Sequence, residues 1–244
     1  MTVPAESSGL AARRAAAAQV LVASEQLLAG EDIVLDDEMQ HHLGRVLRVR
    51  DGEAVSVSDG AGRWRLATVR RRASSFTLVP TTEVLTEAPA DAPLVLAAAI
   101  PKGDRLEWMV QKATELGARR IVLLHAERSV VRWKAARVAH QLRRLQRVAD
   151  EATRQSRRVW ATEVFGPEPA LGVLPGAAVA EPGGRAIAGD DRVIAVGPEG
   201  GWSAAELAAA GDHVDLGGAV LRTETAAVAA LAIIGALGDR RPTA

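Results

Sequence analysis

Short apolar or alternating runs dominate the chain between residues 20 and 80. Such alternation predicts half-buried strands, and Asp51-Gly52 and Asp59-Gly60 supply turn residues between neighbouring runs. We therefore predict a small β-barrel. Its strands are expected at 20–22, 33–35, 45–49, 54–58, 64–69 and 76–79.

The pattern changes after residues 81–93, a stretch with prolines, acids and no periodicity that is typical of a linker. From Leu94 onward apolar strands alternate with a helical pattern, which predicts an α/β domain with a parallel sheet. Strands are expected at 94–100, 121–124, 177–180 and 193–196. The resulting division is a loose N-terminal tail at 1–19, a barrel at 20–89 and an α/β domain at 90–244.

A glycine-rich loop at 197–201 follows the strand at 193–196. Ser203 and Glu206 have the spacing of a helix capping box, Gly211 is expected to cap the end of that helix, and a further strand ends at Leu216-Gly217. Ligands in such sheets bind beyond the carboxyl ends of strands, so we expect a small flat ligand here, an ordinary tight turn being the alternative. Neither the dinucleotide fingerprint nor the phosphate-loop motif occurs in the chain.

Four motifs in order resemble the RsmE family of SPOUT-class RNA methyltransferases: KGDRLEWMVQKATELG (102–117), ERSVVRW (127–133), GPEGGWS (197–203) and LRTETAA (221–227). The resemblance runs from about residue 20 onward. It implies a SPOUT-type parallel sheet with a C-terminal trefoil knot, preceded by a PUA-like RNA-binding β-barrel. It also implies a homodimer that transfers a methyl group from S-adenosylmethionine to N3 of a uridine in 16S ribosomal RNA of the small subunit.

One stretch departs from that family. EATRQSRR (151–158) resembles the family's Glu-Ala-x-x-Gln-Ser-Gly-Arg, but Arg157 replaces the glycine and Thr162 stands where a proline is usual. The family motif therefore does not fix the conformation of this loop, although Glu151, Gln155 and Arg158 are retained.

Candidate site residues follow from the two glycine-bearing loops and a third loop at 181–183. Arg222 is expected to stabilise a uracil anion and Glu224 to accept its proton, with Glu199 as the next candidate; Glu224 complementing the dipole of the last helix and pairing with Arg222 is the structural alternative. The expected cofactor-binding residues are Glu181, Gly197, Pro198, Gly200, Gly201, Leu216, Gly217, Leu221, Arg222 and Thr223.

The net charge of zero, from 30 basic and 30 acidic residues, by itself argues against nucleic acid. The basic residues are nevertheless segregated, with five arginines and no acid at 63–72 and ten basic residues against two acids at 128–158. These blocks favour phosphate binding over a solvated mixed surface. The expected RNA-binding residues are Arg13, Arg14, Arg45, Arg48, Arg63, Arg65, Arg128, Arg132, Lys134 and Arg158.

Several classes of protein are disfavoured. The chain has no cysteine, so it has no disulfide and is compatible with a reducing cytoplasm, where we place it. No apolar run reaches the length of a membrane span. His41-His42, expected at a helix start, lack the further ligands of a metal site, and we expect no metal.

The apolar residues at 226–237 form a helix with no polar side, which is expected to be buried on all sides, under a loop or in a dimer interface. Two other functions stay open at this point. A related SPOUT enzyme could methylate a ribose 2′-oxygen or another base nitrogen, and a non-catalytic RNA-binding protein could keep the fold.

Overall fold

The computed structural model describes residues 5–72 and 75–238. They form two compact units. The first contains the residues up to Pro89 together with Thr153–Ala161, and the second contains Ala90–Ala152 together with the residues from Thr162 onward.

The first unit is built on a six-stranded sheet of order β1-β3-β4-β5-β2, with β6 paired to β4. Strands β3, β4 and β5 are antiparallel neighbours, whereas β1 pairs with β3 in parallel. One apolar cluster, which includes Val55, Val57, Val69 and Leu78, fills the unit. Its elements are α1 (Ala5–Ala15), β1 (Gln19–Leu21), α2 (Ser24–Leu28), β2 (Ile33–Val34), α3 (Asp37–His41), a π-helical turn (His42–Val46), β3 (Ala54–Ser58), β4 (Arg63–Arg72), β5 (Ser75–Pro80) and β6 (Leu85–Thr86).

The prediction of a strand at 45–49 was wrong. This stretch leaves the π-helical turn and includes Arg48, whose φ of 53° is incompatible with a strand. The preceding acidic residues start a helix that the pattern missed, because the Asp36 side chain accepts a hydrogen bond from the Met39 amide at 2.8 Å. His41 is the last residue of α3 and His42 is the first residue of the π-helical turn, and the described residues hold no cluster of metal-binding side chains.

The segment predicted as a loose tail is helical over Ala5–Ala15, and residues 1–4 lie outside the described residues. Arg13 anchors this helix: it is buried, forms an ion pair with Glu87, and places its guanidinium 4.9 Å from the centre of a Trp64 ring. A cationic side chain over an aromatic face, shielded from water, stabilises the docked helix. The segment predicted as a linker, residues 81–93, also contains regular structure, because strand β6 lies within it and pairs with β4.

All six strands of the second unit are parallel, in the order β12-β10-β11-β7-β8-β9. The predicted α/β class with a parallel sheet is thus confirmed, and β9 is the strand that the pattern missed. Its elements are β7 (Val95–Ala99), α4 (Arg105–Glu115), β8 (Arg120–His125), α5 (Ala135–Gln155), β9 (Glu163–Pro169), α6 (Ala170–Val173), a 3₁₀ turn (Leu174–Gly176), β10 (Ala178–Ala186), β11 (Val193–Val196), α7 (Ala204–Ala209), β12 (Asp212–Asp215) and α8 (Thr223–Gly238).

Helix α8 buries one side against β7, β11 and α4, with Ala227, Leu231 and Ile234 in the core. The prediction of burial on all sides does not hold for the single chain, because Ala232 and Leu237 are exposed. Among residues 5–72 and 75–238, none of the helices combines the length and hydropathy that a membrane span requires.

The two departures from the family motif have physical consequences. Arg157 adopts a φ of 57°, the left-handed conformation that glycine takes without cost, and its Nη2 donates to the Ala16 carbonyl at 2.7 Å. Thr162 is fully buried, and its hydroxyl donates to the Ala118 carbonyl at 2.6 Å. Arg157 thus holds a backbone conformation that favours glycine, and a hydrogen bond fixes the chain at 162.

Candidate active site

A cavity of about 270 Å³ opens where strands β11 and β12 end, beside an irregularity in β10 between Ala180 and Arg185. Because these strands are parallel, their carboxyl ends lie at one edge of the sheet, and the loops that leave them meet there. The cavity is lined by Ala180, Glu181, Pro182, Val196, Gly197, Pro198, Glu199, Gly201, Trp202, Asp215, Leu216, Gly217, Ala219, Val220, Leu221, Thr223 and Ala226.

Asp215, at the end of β12, ties two of these loops together. Its Oδ2 accepts from the Gly183 amide at 2.9 Å and its Oδ1 from the Gly217 amide at 2.8 Å. These two backbone hydrogen bonds lower the pKa of the Asp215 carboxyl below its ordinary value, so the group is a fixed negative charge at neutral pH. Sequence reasoning missed this residue, although an aspartate two residues before a glycine turn is the usual signal of such a bond.

The glycine-rich loop is held from three directions. A Cβ at Gly197 would lie 2.9 Å from the Trp202 ring, so only glycine fits there. The Trp202 Nε1 donates to the Ala180 carbonyl at 3.3 Å, and the Thr223 hydroxyl donates to the Gly197 carbonyl at 2.8 Å. The loop is thus connected to β10 and to the first turn of α8, and the cavity is fixed before any ligand arrives.

The capping box predicted at Ser203 and Glu206 is confirmed. Glu206 is buried and does more than cap, because its second oxygen accepts from the Glu127 amide at 2.8 Å and so holds the segment after β8 against α7. The prediction for Gly211 was wrong, since α7 ends at Ala209 with Ala210 extended. Gly211 is instead required by close approach, because a Cβ there would meet the Pro175 carbonyl at 2.5 Å.

Most of the predicted cofactor residues come together in this cavity. Gly200 and Arg222 are the exceptions: neither lines it, and the Gly200 carbonyl instead accepts from Arg128 Nη1 at 3.3 Å. Trp202 and Asp215 were not predicted. The predicted residues that line the cavity are Glu181, Gly197, Pro198, Gly201, Leu216, Gly217, Leu221 and Thr223.

The lining combines apolar surface with carboxylates. Glu181, Glu199 and Asp215 contribute three acidic groups, and the lining contains no lysine or arginine. Such a cavity repels phosphate groups and suits a ligand with a flat apolar part, hydroxyl groups and positive charge. S-adenosylmethionine, with its adenosine, sulfonium and amino group, has this chemistry, so the residues present fit it.

The three predicted catalytic residues differ in their exposure and in their ion-pair partners. Glu199 is exposed and lines the cavity. Arg222 is also exposed; it stands between the lining residues Leu221 and Thr223 in the sequence and forms no ion pair with a described residue. Glu224 is buried in the first turn of α8, where its Oε1 lies 3.4 Å from Arg105 Nε and its Oε2 has no hydrogen-bond partner among the described residues. Glu224 therefore pairs with Arg105 and not with Arg222.

Some of the predicted RNA-binding arginines of the first unit are buried or paired, and others are accessible. Arg65 is buried, and it donates to the Thr82 carbonyl at 2.6 and 3.0 Å and to the Leu27 carbonyl at 3.3 Å. Arg13 and Arg65 therefore hold the fold and are not available to phosphate, which corrects both predictions. Arg63 is half-buried and paired with Asp59 at 2.7 Å.

The remaining predicted RNA-binding residues are accessible. In the first unit Arg158 is half-buried, and the exposed positions are Arg14, Arg45 and Arg48. In the second unit the exposed positions are Arg128, Arg132 and Lys134. Arg132 Nη2 also donates to the carbonyls of Ala126 and Glu127, at 3.0 and 3.2 Å.

Comparison with known protein families agrees with this architecture. Residues 87–176 and 175–235 match the family model of an RNA methyltransferase domain, and residues 35–76 match that of an RNA methyltransferase PUA domain. The fold and the pocket thus define the class, an RNA methyltransferase with a PUA domain before its SPOUT-type catalytic domain.

Individual relatives narrow the class to one family. The chain is 35% identical to ribosomal RNA small subunit methyltransferase E of Mycobacterium bovis, over 86% of this chain and 88% of that protein. It is 33% identical to the Synechocystis protein of the same name, over 90% and 77%. The chain belongs to the ribosomal RNA small subunit methyltransferase E family.

Two solved structures share the whole architecture. The methyltransferase E of Neisseria gonorrhoeae, bound to S-adenosylmethionine, has a TM-score of 0.76 at 29% identity and matches 90% of this chain and 97% of its own. A Legionella pneumophila methyltransferase in complex with the same cofactor has a TM-score of 0.76 at 26% identity and matches 89% and 96%.

Proposed function

We propose that this protein transfers a methyl group from S-adenosylmethionine to N3 of a uridine in 16S ribosomal RNA of the small subunit. The observation that carries the proposal is the cavity at the carboxyl ends of β11 and β12, beside the irregularity in β10, with three carboxylates and no cationic side chain in its lining. Support for the cofactor comes from the bound S-adenosylmethionine in the two similar structures. Support for the substrate comes from the names of the curated relatives.

The cofactor supplies a methyl group already activated by its sulfonium. Leu216 and Leu221 would contact the adenine, backbone groups of Gly197 and Gly217 would bind its polar edge, and Glu181 would accept from the ribose hydroxyls. The remaining task of the protein is to align the nucleophile and exclude water. The side chains that line the cavity suit that task because the loops bearing them are already tied together.

Uracil N3 carries a weakly acidic proton on the base-pairing edge, so methylation needs the base displaced and its proton removed. Arg222 would stabilise the negative charge that develops on the uracil oxygens, since its guanidinium is exposed and unpaired among the described residues. Glu224 does not line the cavity, and its unpartnered Oε2 is buried while Arg105 holds Oε1, so it would take the N3 proton only when the bound base or a water reaches that oxygen. Glu199 would contact the substrate at the cavity mouth.

The proposal extends to the assembly and the place of action. Helix α8 leaves Ala232 and Leu237 exposed on an otherwise apolar helix, which supports a homodimer in which a second copy covers that side. A C-terminal trefoil knot and RNA binding by the PUA-like domain at 20–89 are further parts of the proposal. The substrate places the protein in the cytoplasm.

Calorimetric titration with S-adenosylmethionine, NAD and ATP tests the cofactor. We expect binding of S-adenosylmethionine alone, because phosphates would meet the carboxylates of the lining. Gly197→Val should abolish binding by pushing against Trp202, whereas Gly172→Val, where a Cβ meets open space, should leave it unchanged. Binding of NAD or ATP instead would reject the assignment.

Nucleoside analysis of small-subunit RNA treated with the enzyme tests the product. We expect 3-methyluridine, and a 2′-O-methylated nucleoside would replace the proposal by the related chemistry. Arg222→Ala should lower the rate of methyl transfer by about 100-fold while the affinity for S-adenosylmethionine stays within about twofold, because the arginine lies outside the cavity lining. A wild-type rate in that variant would remove Arg222 from the mechanism.

A further inference from the structure

A second feature of the catalytic unit lies outside the cavity. Residues 128–149 contain seven arginines and lysines and no acid, within a chain of zero net charge. All seven side chains are exposed. The only ion pair that any of them forms with a described residue is the one between Arg144 and Glu107. A neutral protein that keeps such a segment unneutralised concentrates positive potential there.

Helix α5 arranges this charge on one side. Leu145 and Ala149 are buried in the core, and Leu142 and Val148 pack beside them. Arg137, Arg143, Arg144 and Arg147, which we call the basic face, are exposed on the other side. Spacings of three, four and seven residues keep them neighbours on the helix surface, and the face extends about 15 Å along the axis.

An exposed aromatic side chain lies next to the basic face. Trp108 of α4 is 44% exposed, and it borders a groove of about 500 Å³ together with Arg144 and Arg147. Glu107 and Glu151 also line this groove. Glu107 forms the ion pair with Arg144, so Arg147 is the arginine of the groove without an ion pair to a described residue. An indole ring beside guanidinium groups is the combination that binds single-stranded nucleic acid, because bases stack on the ring while arginines neutralise phosphates.

The basic face is connected to the cofactor cavity. Arg128 Nη1 donates to the Gly200 carbonyl of the glycine-rich loop, and Lys134 immediately precedes α5. Exposed basic residues at 128, 132 and 134 therefore continue the charge from the cavity edge to the start of the helix. A polyanion that reached the cavity could follow this path without meeting an acidic side chain of the segment.

We propose that the basic face and Trp108 bind single-stranded RNA flanking the target nucleotide and so form a docking surface of the catalytic unit itself. The inference rests on the proposed function, since it assumes that a nucleotide of RNA is presented to the cofactor at the cavity mouth. It commits to RNA because the segment offers seven cations and the neighbouring helix α4 offers the exposed indole of Trp108, whereas a protein partner would need apolar area that the basic face lacks.

The salt dependence of RNA affinity tests the basic face. The full-length protein is titrated against a fluorescent single-stranded fragment of small-subunit RNA over a range of salt concentrations. Arg143→Gln with Arg147→Gln should reduce the slope of log affinity against log salt by about 1.4, about 0.7 for each phosphate that is no longer neutralised. Heat denaturation and titration with S-adenosylmethionine show that the variant is folded.

A matched control removes two charges from the other edge of the same sheet. Arg120 begins β8 and Arg192 directly precedes β11, so both lie at the amino ends of the strands, away from the cavity. Arg120→Gln with Arg192→Gln should leave the slope unchanged. Equal slopes for the two double variants would overturn the docking surface, whereas a wild-type enzyme that fails to methylate small-subunit RNA would overturn the proposed function instead.

Trp108→Ala tests the stacking part. Stacking depends little on salt, so this variant should lose RNA affinity about tenfold at both low and high salt with an unchanged slope. Sedimentation of the same variant gives the second readout. A change in oligomeric mass with unchanged RNA affinity would assign the groove to contacts between copies of the chain and reject its role in RNA binding.

Discussion

The two arginine-rich segments of this protein look alike in sequence and differ in use. In the segment at 63–72, Arg65 is buried against backbone carbonyls and Arg63 is paired with Asp59, and only the last three arginines, at 70–72, are exposed. In the segment at 128–149, every arginine is exposed. The first segment lies in a strand whose residues alternate between core and solvent, whereas the second follows a loop and a helix with one buried side. Element type and face therefore decide whether an arginine supports the fold or can reach a ligand.

Removing one arginine from each segment should give the largest contrast. Arg65→Ala should lower the free energy of unfolding by about 3 kcal/mol, because three hydrogen bonds to buried carbonyls disappear and their acceptors stay unpaired. Arg143→Ala should change it by less than about 0.5 kcal/mol, as is usual for an exposed side chain. Urea denaturation measures both, and a similar loss in the two variants would contradict the contrast.

The next prediction concerns an acidic residue, Asp215, whose carboxylate accepts hydrogen bonds from two segments beside the cavity. Asp215→Ala should weaken S-adenosylmethionine binding about tenfold, because the two loops that it ties are no longer fixed. Hydrogen bonds lower the pKa of this carboxyl, so the tie is fully present above the ordinary pKa and is lost as the pH falls through the lowered value. Calorimetry at neutral pH measures the affinity. An unchanged affinity would show that the loops are held without it.

The smallest effect is expected at Arg157, the arginine that departs from the family motif. Arg157→Gly should change the free energy of unfolding by less than about 0.5 kcal/mol, because release of the left-handed φ offsets the missing hydrogen bond to Ala16. Arg157→Ala keeps the strained backbone without that bond, so it should be destabilised by about 1 kcal/mol. Equal stabilities of the two variants would show that no strain is stored there.

Sequence reasoning was most successful where local chemistry and period agreed. The alternation of strands and helices predicted the parallel sheet, and the spacing of Ser203 and Glu206 predicted the capping box. It failed at 45–49, because this run covers the end of the π-helical turn and the residues directly after it. Short runs have no distinctive period, and the contacts of Leu43 and Val49 with the distant core decide their conformation.

The same limit applies to the site. Glycine positions predicted much of the cavity, because a glycine after a strand is a local signal that ligands and tight loops share. The sequence could not show that Asp215 connects two loops separated by about thirty residues, nor that Glu224 pairs with Arg105, because both interactions join segments that only the fold brings together.

The amino-acid sequence by itself determined most strands of the second unit, its parallel sheet and the location of the pocket, since periodicity, capping and glycine positions act over a few neighbouring residues. Only the tertiary structure decided which charges are available. Arg13 and Arg65 are sequestered by carbonyl, carboxylate and aromatic partners distant in sequence, while the arginines of the basic face are turned to solvent. Burial and long-range pairing are properties of the folded chain, and local sequence does not encode them.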